Sequence, residues 1–204
     1  MTAHGPRKAA KQGRARVTVD AILEATARIV DQVGLDRATT NRIAELAGVS
    51  VGSLYQYFPG KQALLAALIE REAQADLAAM RGVVDECAAL PLGAAIDRMT
   101  AELVARHARH PGLYRWMLTY VPELGQHPKI RAIAASGRAL LRDMLTVRRR
   151  ELPAGLEPAL TAMILGAAVE AAVHAAIFER PECLADGSLA RELSSLCRGY
   201  LGAR

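Results

Sequence analysis

Apolar residues at Ile22, Ala25, Ile29, Val30 and Val33 return every three to four positions, which predicts a first helix over Thr18–Val33 ended by Gly34. The chain from Thr39 to Leu65 then reads TTNRIAELAGVSVGSLYQYFPGKQALL. Two short helical patterns are joined there by Ala47-Gly48-Val49-Ser50. Glycine supports a sharp reversal, and Ser50 can cap the second helix as Thr39 caps the first. Ile43, Leu46, Ala47, Val49 and Leu54 have the spacing of two helices packed at a steep angle. In the second helix only Leu54 and Phe58 point inward, four apart on one face. Val51, Gly52, Ser53 and Gln56 lie on its outward side. A short helix with few buried anchors and a small, polar outer surface suits close approach to base edges, so the pair reads as a helix-turn-helix.

Downstream, Leu64, Leu65, Leu68, Leu77 and Met80 mark a long fourth helix from Lys61 to about Ala89. It leaves the first module without a Pro/Gly-rich linker, so it can act as a rigid rod. Further helices are expected over Gly93 to about Arg109 and over Leu113–Val121. Pro122, Gly125 and Pro128 punctuate the chain before the next helix, Lys129 to about Arg150. The last two are expected over Glu157–Glu179 and Gly187–Leu201. The fold class is therefore all-α with about nine helices. The expected division is a basic disordered arm over 1–16, a helix-turn-helix domain over 17–62 and a second helical domain over 63–204.

The pattern TT-x-x-IA-x-x-AGVS-x-GSLY-x-YF-x-x-K-x-x-LL resembles the N-terminal domain of the tetracycline-repressor (TetR) family of bacterial transcription regulators. The resemblance is strong over about Val17–Leu68 and one of layout beyond it. One departure is visible. The family often places Ser, Asn or Asp before the lysine, whereas this chain has Pro59-Gly60; glycine is a tolerated cap.

Composition and charge sharpen this picture. The chain has 204 residues, 51% hydrophobic and only 4% aromatic, enough for a DNA-binding module plus one further core. Of the net charge of +5, residues 1–61 carry most, with nine Lys/Arg against five Asp/Glu. That is the footprint of a phosphate partner. Cys87, Cys183 and Cys197 are odd in number and lack metal-ligand spacing, as for buried thiols in a reducing cytoplasm. Cys197 shares an apolar face with Leu193, Leu196 and Tyr200. Met1–Arg16 has no apolar stretch after its charges, unlike a secretory signal. The run Ala159–Phe178 is interrupted by Glu170 and His174, so no membrane association is expected. No glycine-rich phosphate loop, nucleophile elbow or metal triad is present; neither an enzyme, a cofactor nor a metal is expected. His107 and His110, three apart, read as a solvated helix end, and Arg148-Arg149-Arg150 as a helix end needing no partner.

The motif match places Val51, Gly52 and Ser53 at the entry end of the recognition helix, with Gln56 one turn on. It places Asn41 where family members often reach a base. Thr40, Tyr55, Tyr57 and Lys61 are assigned to phosphates, and Arg42 is either a phosphate contact or a solvated charge. The resemblance further implies a homodimer on a palindromic double-stranded DNA operator, joined through the last two helices. It also implies a small-molecule pocket whose occupation tilts the linking helix. Met99, Trp116, Met117, Tyr120, Met144, His174 and Phe178 are the pocket candidates, suited to a small apolar ligand. The expected function is a ligand-responsive repressor; the alternative is an activator or architectural regulator without an inducer.

Overall fold

The computed structural model describes residues 7–124 and 128–203, with side chains described over 15–120 and 128–203. The described residues hold ten α-helices and two short 3-10 turns, and no strand. The first unit contains α1 (Arg7–Val33), α2 (Thr40–Ala47), α3 (Val51–Tyr57) and the start of α4 (Lys61–Glu86). The rest of α4 is followed by α5 (Leu92–Arg109), α6 (Pro111–Leu124), α7 (Pro128–Val147), α8 (Pro158–Glu179), α9 (Glu182–Ala185) and α10 (Ser188–Leu201). The helix beyond the expected nine is α9, a four-residue turn too short to show periodicity. The chain divides into two compact units, Met1–Ile69 and Glu70–Arg204. The division falls inside α4, after Leu64, Leu65, Leu68 and Ile69 have buried their side chains.

Helix α1 begins at Arg7, not Thr18, so residues 7–16 of the arm expected to be disordered are helical. Lys8, Ala9, Ala10, Lys11 and Gln12 are strong helix formers, and propensity extends the helix upstream of its apolar stripe. The remainder of that arm, residues 1–6, lies outside the described residues, as does Gly125. Pro111 and Pro128 stand where one helix gives way to the next, as the first residues of α6 and α7, where a missing N–H costs nothing. Pro122, expected to punctuate the chain, lies instead within α6, which runs on to Leu124.

In the second unit, α5 packs on α10, and α8 on both α6 and α7. Leu92, Ile96, Leu145, Leu165, Cys197 and Leu201 form its core cluster, with Met144 packed against it. A smaller cluster joins Val83, Cys87 and Ala95 to Met99. Cys197 fills core, and burial pushes its thiol up from the usual range. Its expected face-mates Leu196 and Tyr200 point outward instead. Cys183 is only partly buried, contrary to the expectation of three buried thiols. Asp97 of α5 accepts from Ser194 and, at 3.1 Å, from Arg198, both on α10.

The three-arginine run also departs from expectation. Arg148 is buried, and its guanidinium donates to the carbonyls of Cys87 (2.6 Å), Ala88 (3.1 Å) and Leu90 (2.8 Å), just past the end of α4. Such carbonyls have no partner within their helix, and a fork of donors satisfies several at once. The sequence offers no sign of this, because the acceptors lie about 60 residues away.

Helix α8 has the length and composition of a membrane span, with mean hydropathy 1.8. It nevertheless carries Glu170 and His174, and it buries Thr161, Leu165, Val173 and Ile177 against its own unit.

Candidate nucleic-acid interface

Local chemistry fixes the α2–α3 pair. Thr39 caps α2, its side chain accepting from the Arg42 N–H at 3.3 Å. Gly48 ends α2 in the left-handed region at φ 67°, a conformation that costs other residues energy. Ser50 caps α3, its Oγ accepting from the Ser53 N–H at 3.0 Å and lying 2.9 Å from the Ser53 Oγ. Ile43, Ala44, Leu54 and Phe58 are buried and seat the pair. Leu46, expected among these anchors, is 46% exposed; the neighbouring Ala44 is buried in α2 instead. The buried face of α2 runs through Ile43 and Ala44, and the helical turn carries Leu46 away from it.

Within α3, Leu54 is completely buried while Val51, Gly52 and Gln56 are exposed and Ser53 is half-buried. Nothing approaches a Cβ built on Gly52 more closely than the Ser50 Oγ, at 3.8 Å. The outer surface at the entry end of α3 is therefore shallow and open. Asn41 and Arg42 are exposed on the first turn of α2, and Tyr55 and Tyr57 are exposed on α3. The Thr40 Oγ1 and Tyr55 phenol oxygen lie 3.4 Å apart, so these two hydroxyls assigned to phosphates form one patch.

Lys61 has a partner the sequence did not disclose. Its Nζ donates to the Leu35 carbonyl at 2.9 Å, tying the start of α4 to the turn after α1. A lysine at a helix N-terminus opposes the helix dipole. The Leu35 carbonyl gives Lys61 a partner within the protein at this position.

The seven pocket candidates of the second unit do not converge. Trp116 and Met117 are buried on α6, and the Trp116 ring lies 5.6 Å from half-buried Tyr120 at 37°. Met99 and Met144 belong to separate core clusters. Phe178 is 45% exposed beneath the Arg115 guanidinium, 5.3 Å from its ring centroid. His174 is half-buried, with its Nε2 4.0 Å from Glu170, and burial holds its pKa below the ordinary value. On α8 the helical period alone could not separate His174 and Phe178, because that helix is apolar nearly all round.

A polar cluster stands beside Trp116 in sequence and escaped the sequence reading. Asp76 of α4 accepts from Arg106 of α5 (Nε at 2.7 Å) and from the Tyr114 phenol of α6 (2.9 Å). Burial, reinforced by Asp76, pushes the Tyr114 phenol well above its usual range. The His107 ring centroid is 4.2 Å from that of Tyr114, and its Nδ1 is 2.8 Å from the Leu103 carbonyl. The expectation of a solvated His107 is thus overturned: burial lowers its pKa below the ordinary histidine value. Tyr114 was legible as an aromatic on the same short helix; Asp76 and Arg106, 30 residues apart, were not. Among the described residues, no group of three His, Cys, Asp or Glu could hold a metal ion.

A capped helix pair with an open outer face on a three-helix scaffold defines a helix-turn-helix DNA-binding protein. The comparisons place it further. Residues 22–68 match the family of bacterial regulatory proteins of the tetR type, and residues 91–201 match a tetracyclin repressor-like C-terminal domain. The chain belongs to the TetR family of transcriptional regulators. It is 31% identical over 152 residues to the HTH-type transcriptional regulator BetI of Escherichia coli, covering 72% of this chain and 74% of that protein. A Mesorhizobium loti protein assigned to the TetR family superposes with a TM-score of 0.75 at 20% identity, over 93% of this chain and 97% of that one. The Thermus thermophilus repressor FadR, solved in complex with lauroyl-CoA, superposes with a TM-score of 0.64 at 22% identity, over 90% and 93%. At these identities the two structures speak for the fold alone. The family and this chain's relatives are transcriptional regulators.

Proposed function

We propose that the protein is a cytoplasmic, homodimeric repressor that binds a palindromic operator and leaves it when a small apolar ligand occupies its second unit. The observation that carries the DNA half is the seating of α3: Leu54 fully buried, with Val51, Gly52 and Ser53 at an open outer surface. In this reading Val51, Gly52, Ser53, Gln56 and Asn41 meet base edges. Thr40, Arg42, Tyr55, Tyr57 and Lys61 meet phosphates, Lys61 with the donors its carbonyl partner leaves over.

The dimer half draws on α8 and α10. Leu160, Met163 and Ile164 stand exposed on α8, followed by exposed Ala167, Ala168, Ala171 and Ala175, and Leu196 and Tyr200 stand exposed on α10. A smooth apolar face of this extent on a regulator with one short reading helix favours pairing with a second copy.

The ligand half draws on the aromatic floor of α6 and on relatives of the same fold, one of which holds an acyl thioester. Displacement there would reach the reading helices along α4, the helix both units share. A second reading, an activator or architectural regulator without an inducer, draws on Met99 and Met144, which fill core clusters. Native mass spectrometry of the protein with its selected duplex tests the proposal. Two protomers per duplex, released when a small molecule is retained, are expected; one protomer per duplex would overturn the dimer.

A further inference from the structure

Trp116 is the single tryptophan of the chain. Its side chain is buried, yet its indole Nε1 meets no acceptor, and it is the one buried side-chain nitrogen or oxygen so placed among the described residues. Buried donors are nearly always paired, because leaving one unpaired forfeits its hydration without return. The helix cannot easily turn this donor elsewhere. Immediately before Trp116, the Tyr114 phenol is held by Asp76, and the Arg115 guanidinium donates to the Ile177 carbonyl of α8. Two side chains on adjacent positions thus anchor α6 to α4 and to α8, and the indole is carried on a pinned backbone.

The surroundings restrict what can complete this donor. Leu113 and Met117 are buried on the same face of α6, and the Tyr120 ring lies against the indole. An indole N–H only donates, so its partner is an acceptor such as a carbonyl, ether or hydroxyl oxygen. It brings no positive charge to offset a desolvated anion, which favours a neutral acceptor. We infer that Trp116 is the specificity-determining donor of a small-molecule site on α6, and that the ligand is a neutral, mainly apolar molecule presenting one acceptor oxygen to the indole. This rests on the ligand half of the proposed function and narrows it, since a pure hydrocarbon would leave the indole unpaired.

The test uses the full-length protein, isotope-labelled at its one indole nitrogen, and two probes of nearly equal shape: cyclohexanone and methylenecyclohexane. The expected result is a saturable downfield shift of the indole N–H resonance with cyclohexanone. Cyclohexanone should also bind about tenfold more tightly than the alkene, the usual worth of one such bond. Trp116→Phe, which keeps an aromatic ring and drops the donor, should bind the two probes equally. If neither probe moves the resonance, or if both bind the unmodified protein equally, the donor role is overturned. Should Trp116→Phe fail to fold, the comparison in the unmodified protein still decides. Native mass spectrometry of the same samples asks separately whether the protein retains any small molecule, so failure of the donor role is distinguishable from failure of the ligand reading.

Discussion

Arg148 and Glu151 stand one turn apart, 3.3 Å between their charged groups, and close both sides of the corner between α4 and α5. Arg148 takes the carbonyls past the end of α4, while Glu151 accepts from the Leu92 N–H at the start of α5, at 3.1 Å. Each charge has the sign its helix end favours. Arg148→Ala leaves three carbonyls without this donor and a carboxylate without its counter-charge. Urea unfolding should report a loss of about 3 kcal/mol. Arg148→Lys should recover only part of it, since an ammonium cannot reproduce the guanidinium fork.

The turn between α2 and α3 should respond to two small changes. Gly48→Ala forces a side chain into φ 67° and should cost about 1–2 kcal/mol. Ser50→Ala removes the cap of α3 and should cost about 1 kcal/mol. Thermal melting measures both.

His107 gives stability a dependence on pH. Burial holds its folded pKa below the ordinary histidine value of about 6.5, so the unfolded chain takes up a proton that the native state refuses. Stability is then fully present above the unfolded value and is lost as pH falls through about 6.5 toward the folded one. His174 shifts the same way but is more exposed, so it contributes less. The melting temperature should drop between pH 7.5 and 5.5, and His107→Gln should flatten that drop.

Lys61 has two measurable roles. Lys61→Ala should cost about 1 kcal/mol of stability through the lost Leu35 contact. It should also weaken binding to all duplexes alike and lower the salt slope by about one unit. An unchanged salt slope would assign Lys61 to the fold alone.

Much of this molecule was legible in advance, for identifiable reasons. The caps at Thr39 and Ser50, the reversal at Gly48 and the anchors Leu54 and Phe58 act over one or two turns, and local residue chemistry specifies them. Other features were not local. Arg148, Asp76, Arg106 and His107 owe their roles to partners on other helices. Polar residues at helix ends or on helix faces look solvated until packing covers them. The pocket candidates His174 and Phe178 could not be sorted on α8, because a helix apolar nearly all round does not reveal which side faces inward.

Selection from a random duplex library by the full-length protein tests the reading role of α3 most directly. An inverted repeat should be enriched, its half-sites one helical turn or a multiple apart. Ser53→Ala and Asn41→Ala should each change the bases selected while leaving the salt dependence alone. Retention of all duplexes equally, or an unaltered preference in both variants, would contradict the assignment of the Val51–Ser53 surface to sequence reading.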